Sequence, residues 1–376
     1  MKPMNPETAK AFAGLIASIM SFLGWTPQEY SEIFSLPQTP VVTTATTTQP
    51  SQTQNKTPKK PKNSDQAKIP TKKTPDTSQA KTPSTPQKTK ETPTTNIQQS
   101  PRDNLTLEEK ISTSIVNIYC TRILGNTIQK TTGSGVVVDP NGVILTNAHV
   151  AEYFLLAQNG NNTSCSIRTE SPAATSYKAK LIFISPQWIK NNKNNLSLQT
   201  LTGTGEYDYA LLQITERVRL AASDVPLPFL PVSDESIAKD TTVFVAGYPA
   251  GFSSVTLLDS ALYELTKKTT ITNVASFDGK DVDVVNTGPT AVAEHGSSGG
   301  GVIDADGNLR ALIVATTIDP YTNQKNIQAI TLPYIKKSIK KESGKSFSSL
   351  LENGHEEAST FEKEQISSLL NTLLGK

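Results

Sequence analysis

Three residues that can pass a proton between them stand far apart in the chain: His149, Asp208 and Ser298. Ser298 lies in Glu294-His295-Gly296-Ser297-Ser298-Gly299-Gly300-Gly301, a serine held among glycines. On a tight turn such a serine presents its hydroxyl and its backbone N–H together. Acyl transfer needs both, a nucleophile and donors aimed at the developing oxyanion. Alone, a Gly/Ser run reads as a flexible loop, and two other segments change that reading. Thr146-Asn147-Ala148-His149-Val150 follows the run GVILTN and puts an imidazole at a strand end. Tyr207-Asp208-Tyr209-Ala210-Leu211-Leu212 puts a carboxylate at the mouth of another strand. A serine hydroxyl is a weak nucleophile until a base takes its proton, and the imidazole needs a carboxylate to fix its tautomer and steady its charge. The chain order His149, Asp208, Ser298 is one of several in which this constellation occurs. Of the other histidines, His355 falls in a polar tail and His295 sits just ahead of the serine, which leaves His149 as the base.

Holding these groups together requires a rigid scaffold, and the pattern from Leu105 to Lys341 supplies one. SIVNIYC, GSGVVVD, GVILTN, YKAKLIFI, YALLQI, TTVFVAGY, VDVVN, GVIDADG, RALIVAT and NIQAITL are short β-rich runs. Asp139-Pro140-Asn141-Gly142 and Asp306-Gly307-Asn308 are turn sequences between them. Many short strands at regular spacing predict an all-β sandwich or barrel, and two barrels fit this length. After Leu332 the pattern turns helical, with Ile366, Leu369, Leu370 and Leu373 on one face that packs on the domain or on a neighbour.

These motifs resemble the chymotrypsin-fold serine proteases, and within them the HtrA-type trypsin-like endopeptidases. The matching pieces are GSGVVVDPNGVILTNAHVA at 133–151, YDYALLQI at 207–214, VFVAGYPAGF at 243–252, GSSGGGVIDADGNLRALIVA at 296–315 and NIQAITLP at 326–333, in the family's order. The resemblance implies a double β-barrel and a peptidase acting on polypeptide substrates with no cofactor and no metal. Ser298 would be the nucleophile, His149 the general base and then acid, and Asp208 the orienting carboxylate. The N–H groups of Gly296 and Ser298 would form the oxyanion hole. Val292, with Val314, Ala315 and Thr316, would line the primary specificity pocket, and no acidic residue stands there to favour Lys or Arg. His295 would touch the substrate at the pocket rim or be a surface histidine without a role. Ser297 and Glu294-His295 depart from the family's pattern, so the loop could sit differently. The alternative is a silent member that binds polypeptide as chaperone or adaptor, against which the retention of all three residues argues. The stretch Trp188 to Glu206 reads as an insertion before Asp208, and the residues after Lys341 are too few for the PDZ module common in that family.

The flanks differ in kind. From Pro37 to Asp103 there is no Phe, Tyr or Trp, and prolines recur as in TPKKPK and KTPSTPQK. Such a segment cannot bury enough apolar surface to offset the entropy of ordering, so residues 37–104 are expected to be a disordered, extended linker. Ahead of it, residues 11–25 (AFAGLIASIMSFLGW) are uncharged and match a signal-peptide core or a short anchor. Asn5-Pro6-Glu7, Gly24 and Thr26-Pro27-Gln28-Glu29 equally suit a helical hairpin for self-association. Residues 1–36 are therefore expected to be a helical segment or membrane anchor, 105–341 the protease domain and 342–376 a helical tail. A membrane tether implies the cell envelope, and a hairpin that assembles a homo-oligomer implies the cytoplasm.

Composition narrows the alternatives. Hydrophobic residues are 36% of 376, below the roughly 45–50% of a globular chain, as a long unfolded linker requires. With 36 basic and 34 acidic residues the net charge of +2 gives no case for a nucleic-acid partner. Two cysteines, Cys120 and Cys165, exclude a disulfide-dense scaffold and any zinc-binding Cys-x-x-Cys pair. They are equally compatible with one bridge in an oxidising compartment and with two buried thiols.

Overall fold

The structure is a computed structural model that describes residues 105–376 apart from 159, 161, 194–203, 225, 252–256 and 319–323. The expected anchor and linker, residues 1–104, lie outside the described residues. Two closed six-stranded barrels are present, built by antiparallel pairing throughout. The first contains β1 (Ile115–Leu124), β2 (Thr127–Asp139), β3 (Val143–Thr146), β4 (Thr163–Thr169), β5 (Ala174–Ile184) and β6 (Ala210–Arg217). The second contains β7 (Thr242–Gly247), β8 (Leu265–Ala275), β9 (Val284–Thr287), β10 (Gly301–Ile303), β11 (Leu309–Ile318) and β12 (Lys325–Thr331). Each closes in the same order: its first, second, third, sixth, fifth and fourth strand. This is the chymotrypsin-like double barrel expected from the sequence.

Helix α1 (Leu107–Ser114) leads into β1 and starts with a capping box between Thr106 and Glu109. Helix α2 (Ala148–Gln158) follows β3 directly. It carries buried Val150, Ala151, Tyr153, Phe154, Leu155 and Leu156, apolar over most of its circumference as a buried helix must be. Helix α3 (Pro186–Asn191) follows β5, and its Trp188 and Ile189 are buried in the first barrel's core. They open the stretch expected as an insertion, whose central part, 194–203, lies outside the described residues.

Helix α4 (Leu332–Ser343) grows out of β12, with Thr331 as N-cap, Pro333 in the first turn and Gly344 in the left-handed conformation at its end. Helices α5 (Phe347–Glu352), α6 (Gly354–Glu364) and α7 (Ile366–Leu373) complete the chain. Phe361, Ile366, Leu370 and Leu373 sit in the same core as α2 and the first barrel. So the apolar face of the tail closes back on its own domain. A separate cluster of Val243, Ile271, Val285, Val302 and Ile327 fills the second barrel. Between the barrels lie Val136, Leu145, Tyr209, Tyr248, Leu312 and Ile330.

Cys120 and Cys165 are directly opposed in the β1–β4 ladder and form a disulfide, so the even choice left by the sequence falls to the bridge.

Candidate active site

His149 sits in the first turn of α2, three residues past the end of β3, where backbone N–H groups have no intrahelical acceptor. Asp208 supplies one. Its Oδ1 accepts the His149 backbone N–H at 3.0 Å and its Oδ2 lies 2.7 Å from His149 Nδ1. A carboxylate can only accept, so Nδ1 carries the proton and Nε2 is left with a free lone pair. Asp208 is 5% exposed, and its own carbonyl accepts from Asn147 Nδ2 at 2.9 Å. Asn147, two residues before His149, thus binds Asp208 from the backbone side.

The Ser298 turn is fixed by contacts that only glycine permits. Gly296 has φ +93°, and a Cβ there would fall 2.5 Å from the Tyr248 carbonyl oxygen. Gly299 has φ +86°, and a Cβ there would overlap the Ser134 carbonyl and lie 2.5 Å from Thr146 Oγ1. Thr146 ends β3, so the turn carrying Ser298 abuts the chain that carries His149. Ser134, on β2, stitches the barrels together at this point. Its N–H donates to the Ser298 carbonyl at 2.7 Å, its hydroxyl donates to the Gly296 carbonyl at 2.7 Å, and that hydroxyl accepts the Tyr248 N–H at 2.8 Å. Ser298 itself is partly exposed.

The His295 carbonyl accepts the Ala250 N–H at 2.6 Å. In a trans peptide the following N–H, that of Gly296, points the opposite way. Neither it nor the Ser298 N–H donates to any acceptor among the described residues. Two backbone donors, one on each side of Ser297, are thus left without an acceptor among the described residues.

Glu294, which the sequence reading passed over except as a departure, anchors this loop. Its side chain is 9% exposed and pairs with Lys325 Nζ at 2.6 and 2.8 Å, tying the loop to the start of β12. Gly251 packs against the same carboxylate with no room for a side chain. No local motif reveals this pair, because its partners are 31 residues apart. Ser297, buried at 0% exposure, has a hydroxyl without a partner among the described residues.

The residues expected to line the specificity pocket divide into two groups. Val292 is 0% exposed in the second barrel's core, and Val314 is buried under Gly205, where a Cβ would come within 2.6 Å of it. These two therefore offer a substrate backbone and not side chain. Ala315 is half-buried, while Thr316 and His295 are exposed. Ile313 exchanges hydrogen bonds with Gly299 and Gly300 at 2.9 and 2.8 Å. Past it, the same edge of β11 has no backbone partner among the described residues, which leaves room for an added antiparallel strand.

One buried acid close to the pair has no assigned task. Glu152, on α2 one turn from His149, has its pKa pushed up to about 8, first by burial and then by the charge of Asp208, against a smaller opposing effect of Arg122. Among the described residues no group of three or more His, Cys, Asp or Glu is arranged to hold a metal ion.

Residues 133–312 match the family model of the trypsin-like peptidase domain, a span that includes His149, Asp208 and Ser298. No curated protein matches the chain. Among solved structures, the chain is similar to the active form of the Rv3671c protease from M. tuberculosis, at 18% identity and a TM-score of 0.41, covering 63% of this chain and 84% of that one.

Proposed function

We propose that this chain is a serine endopeptidase of HtrA type, hydrolysing peptide bonds of unfolded or damaged polypeptides through an acyl-enzyme. The observation that carries the reading is the His149–Asp208 pair, bonded at 2.7 Å, beside the glycine-lined Ser298 turn. An extended substrate would pair with the open edge of β11 at Ala315 and Thr316, which sets its backbone in register with Ser298. His149 Nε2 takes the Ser298 hydroxyl proton as Oγ attacks the scissile carbonyl carbon. The oxygen becomes an oxyanion, stabilised by the Gly296 and Ser298 N–H groups. His149 then gives its proton to the leaving amine nitrogen, the C–N bond breaks, and the acyl group stays on Ser298. Water, deprotonated by the same imidazole, releases it. Asp208 holds the Nδ1–H tautomer and stabilises the imidazolium throughout. With the half-buried Ala315 and the exposed Thr316 as the side chains left at the pocket positions, and no acidic residue among them, small or aliphatic side chains are the favoured neighbours of the cleaved bond.

The uncharged segment 11–25 and the polar stretch 37–104 of the sequence support a cell-envelope location. Residues 11–25 would tether it and the polar stretch 37–104 would give it reach.

The test compares the full chain with Ser298→Ala on a reduced, denatured polypeptide, reading new N-termini by mass spectrometry. Cleavage by the wild type that falls by about 10⁴-fold in the variant supports the reading. Bound but uncut substrate with both proteins would instead favour a polypeptide-binding module.

A further inference from the structure

Residues 207–209 reach β6 in an unusual way. Tyr207 has φ +64°, a backbone conformation that a bulky residue holds only when its surroundings impose it. The turn it makes, with Asp208 N–H on the Gly205 carbonyl at 3.2 Å and Tyr209 N–H on the Tyr207 carbonyl at 2.9 Å, aims the Asp208 carboxylate at His149. What imposes it is helix α4. The Tyr334 hydroxyl accepts the Tyr207 N–H at 3.2 Å. The Tyr209 hydroxyl lies 2.6 Å from both Ser338 Oγ and Glu342 Oε2, so its single proton goes to the carboxylate and Ser338 donates to the phenol oxygen. Glu342 Oε1 accepts from the Ser185 hydroxyl at 2.9 Å and the Gln187 N–H at 3.1 Å, which fixes the carboxylate between α3 and β6. The Tyr209 ring, fully buried, stacks on Phe183 and meets Tyr334 edge-on.

Both neighbours of Asp208 are therefore held by one helix. We infer that α4 is a positioning strap for Asp208, with Tyr334 and Glu342 as its two attachment points, acting through Tyr207 and Tyr209. Neither residue touches substrate. Each acts by keeping the Asp208 carboxylate in register with both the ring and the backbone of His149. The inference rests on the reading of Asp208 as the orienting carboxylate.

The His149 backbone N–H reports directly on the strap, because Asp208 Oδ1 is its acceptor and the first turn of α2 offers no other. Its hydrogen-exchange rate in the full chain can be read whether or not the protein cleaves anything. Tyr334→Phe and Tyr209→Phe each remove one oxygen and keep the ring. Ser346→Ala, which removes the N-cap of α5, is the control for a purely structural loss. We expect exchange at the His149 amide to rise about tenfold or more in either Phe variant and to stay at the wild-type rate in Ser346→Ala. Labelling of Ser298 by a fluorophosphonate should slow about tenfold in the Phe variants, with the acid limb of its pH profile displaced. Unchanged exchange at His149 in both Phe variants, or a rise in all three variants in proportion to lost global stability, overturns the inference. A response at His149 in a chain whose Ser298 never labels would support the strap while removing the hydrolase reading.

Discussion

Glu152 offers a prediction in which the sign and size both follow from burial. Its carboxyl has an ordinary value of 4.5 when exposed and about 8 in the folded chain, because burial and the Asp208 charge disfavour ionisation there. Between these values the unfolded chain has released a proton that the folded chain keeps. Stability therefore falls as pH rises through that window, and levels off above about pH 8. A full proton difference corresponds to about 1.4 kcal/mol per pH unit, so from pH 5.5 to 7.5 the contribution is on the order of 3 kcal/mol. Glu152→Gln keeps the shape and removes the proton. Unfolding free energies from urea titrations of wild type and variant at half-unit pH steps isolate Glu152 and its coupling to Asp208, since the titrations of groups not coupled to it cancel in the difference. The variant should gain on the wild type by at least about 1 kcal/mol across those two pH units. Parallel curves would refute the reasoning, and so would a wild type that gains on the variant as pH rises.

Other expectations follow from the same contacts. Lys325→Met leaves Glu294 buried without its counter-ion and should cost about 3 kcal/mol in urea unfolding, whereas the joint change Glu294→Leu with Lys325→Met should recover most of that loss. Gly299→Ala forces a side chain into the Ser134 carbonyl at a positive φ; a loss of about 2 kcal/mol or more, with no labelling of Ser298, is expected from thermal unfolding and probe assays. Reducing Cys120–Cys165 opens a link across 45 residues and should lower the unfolding free energy by about 2–4 kcal/mol, read as a shift of the urea midpoint.

The sequence made the site legible where chemistry and local backbone coincide. Ser298 between glycines and His149 after an apolar run are visible because both are confined to a few consecutive residues. The strand it missed is instructive. β8 (LTKKTTITNVA) is polar on one face and carries few large apolar residues, so it lacks the β-rich run that marked the others. α2 was hidden for the opposite reason: AHVAEYFLLAQ is apolar nearly all round, and periodicity cannot separate a buried helix from a strand. Ser134, Glu294 with Lys325, and Tyr334 with Glu342 act across long sequence separations. No spacing rule could have paired them. Val292 and Val314 were assigned by position in a motif, and that position says nothing about which way a side chain turns in a closed barrel.

The central claim is that His149, Asp208 and Ser298 act as one unit, and labelling of the full chain with a fluorophosphonate, followed by peptide mass spectrometry, tests it most directly. Modification at Ser298 alone, lost in His149→Ala and sharply slowed in Asp208→Asn, is the predicted result. Ser298 left unmodified in a folded chain, or modified equally in all three proteins, would contradict the account.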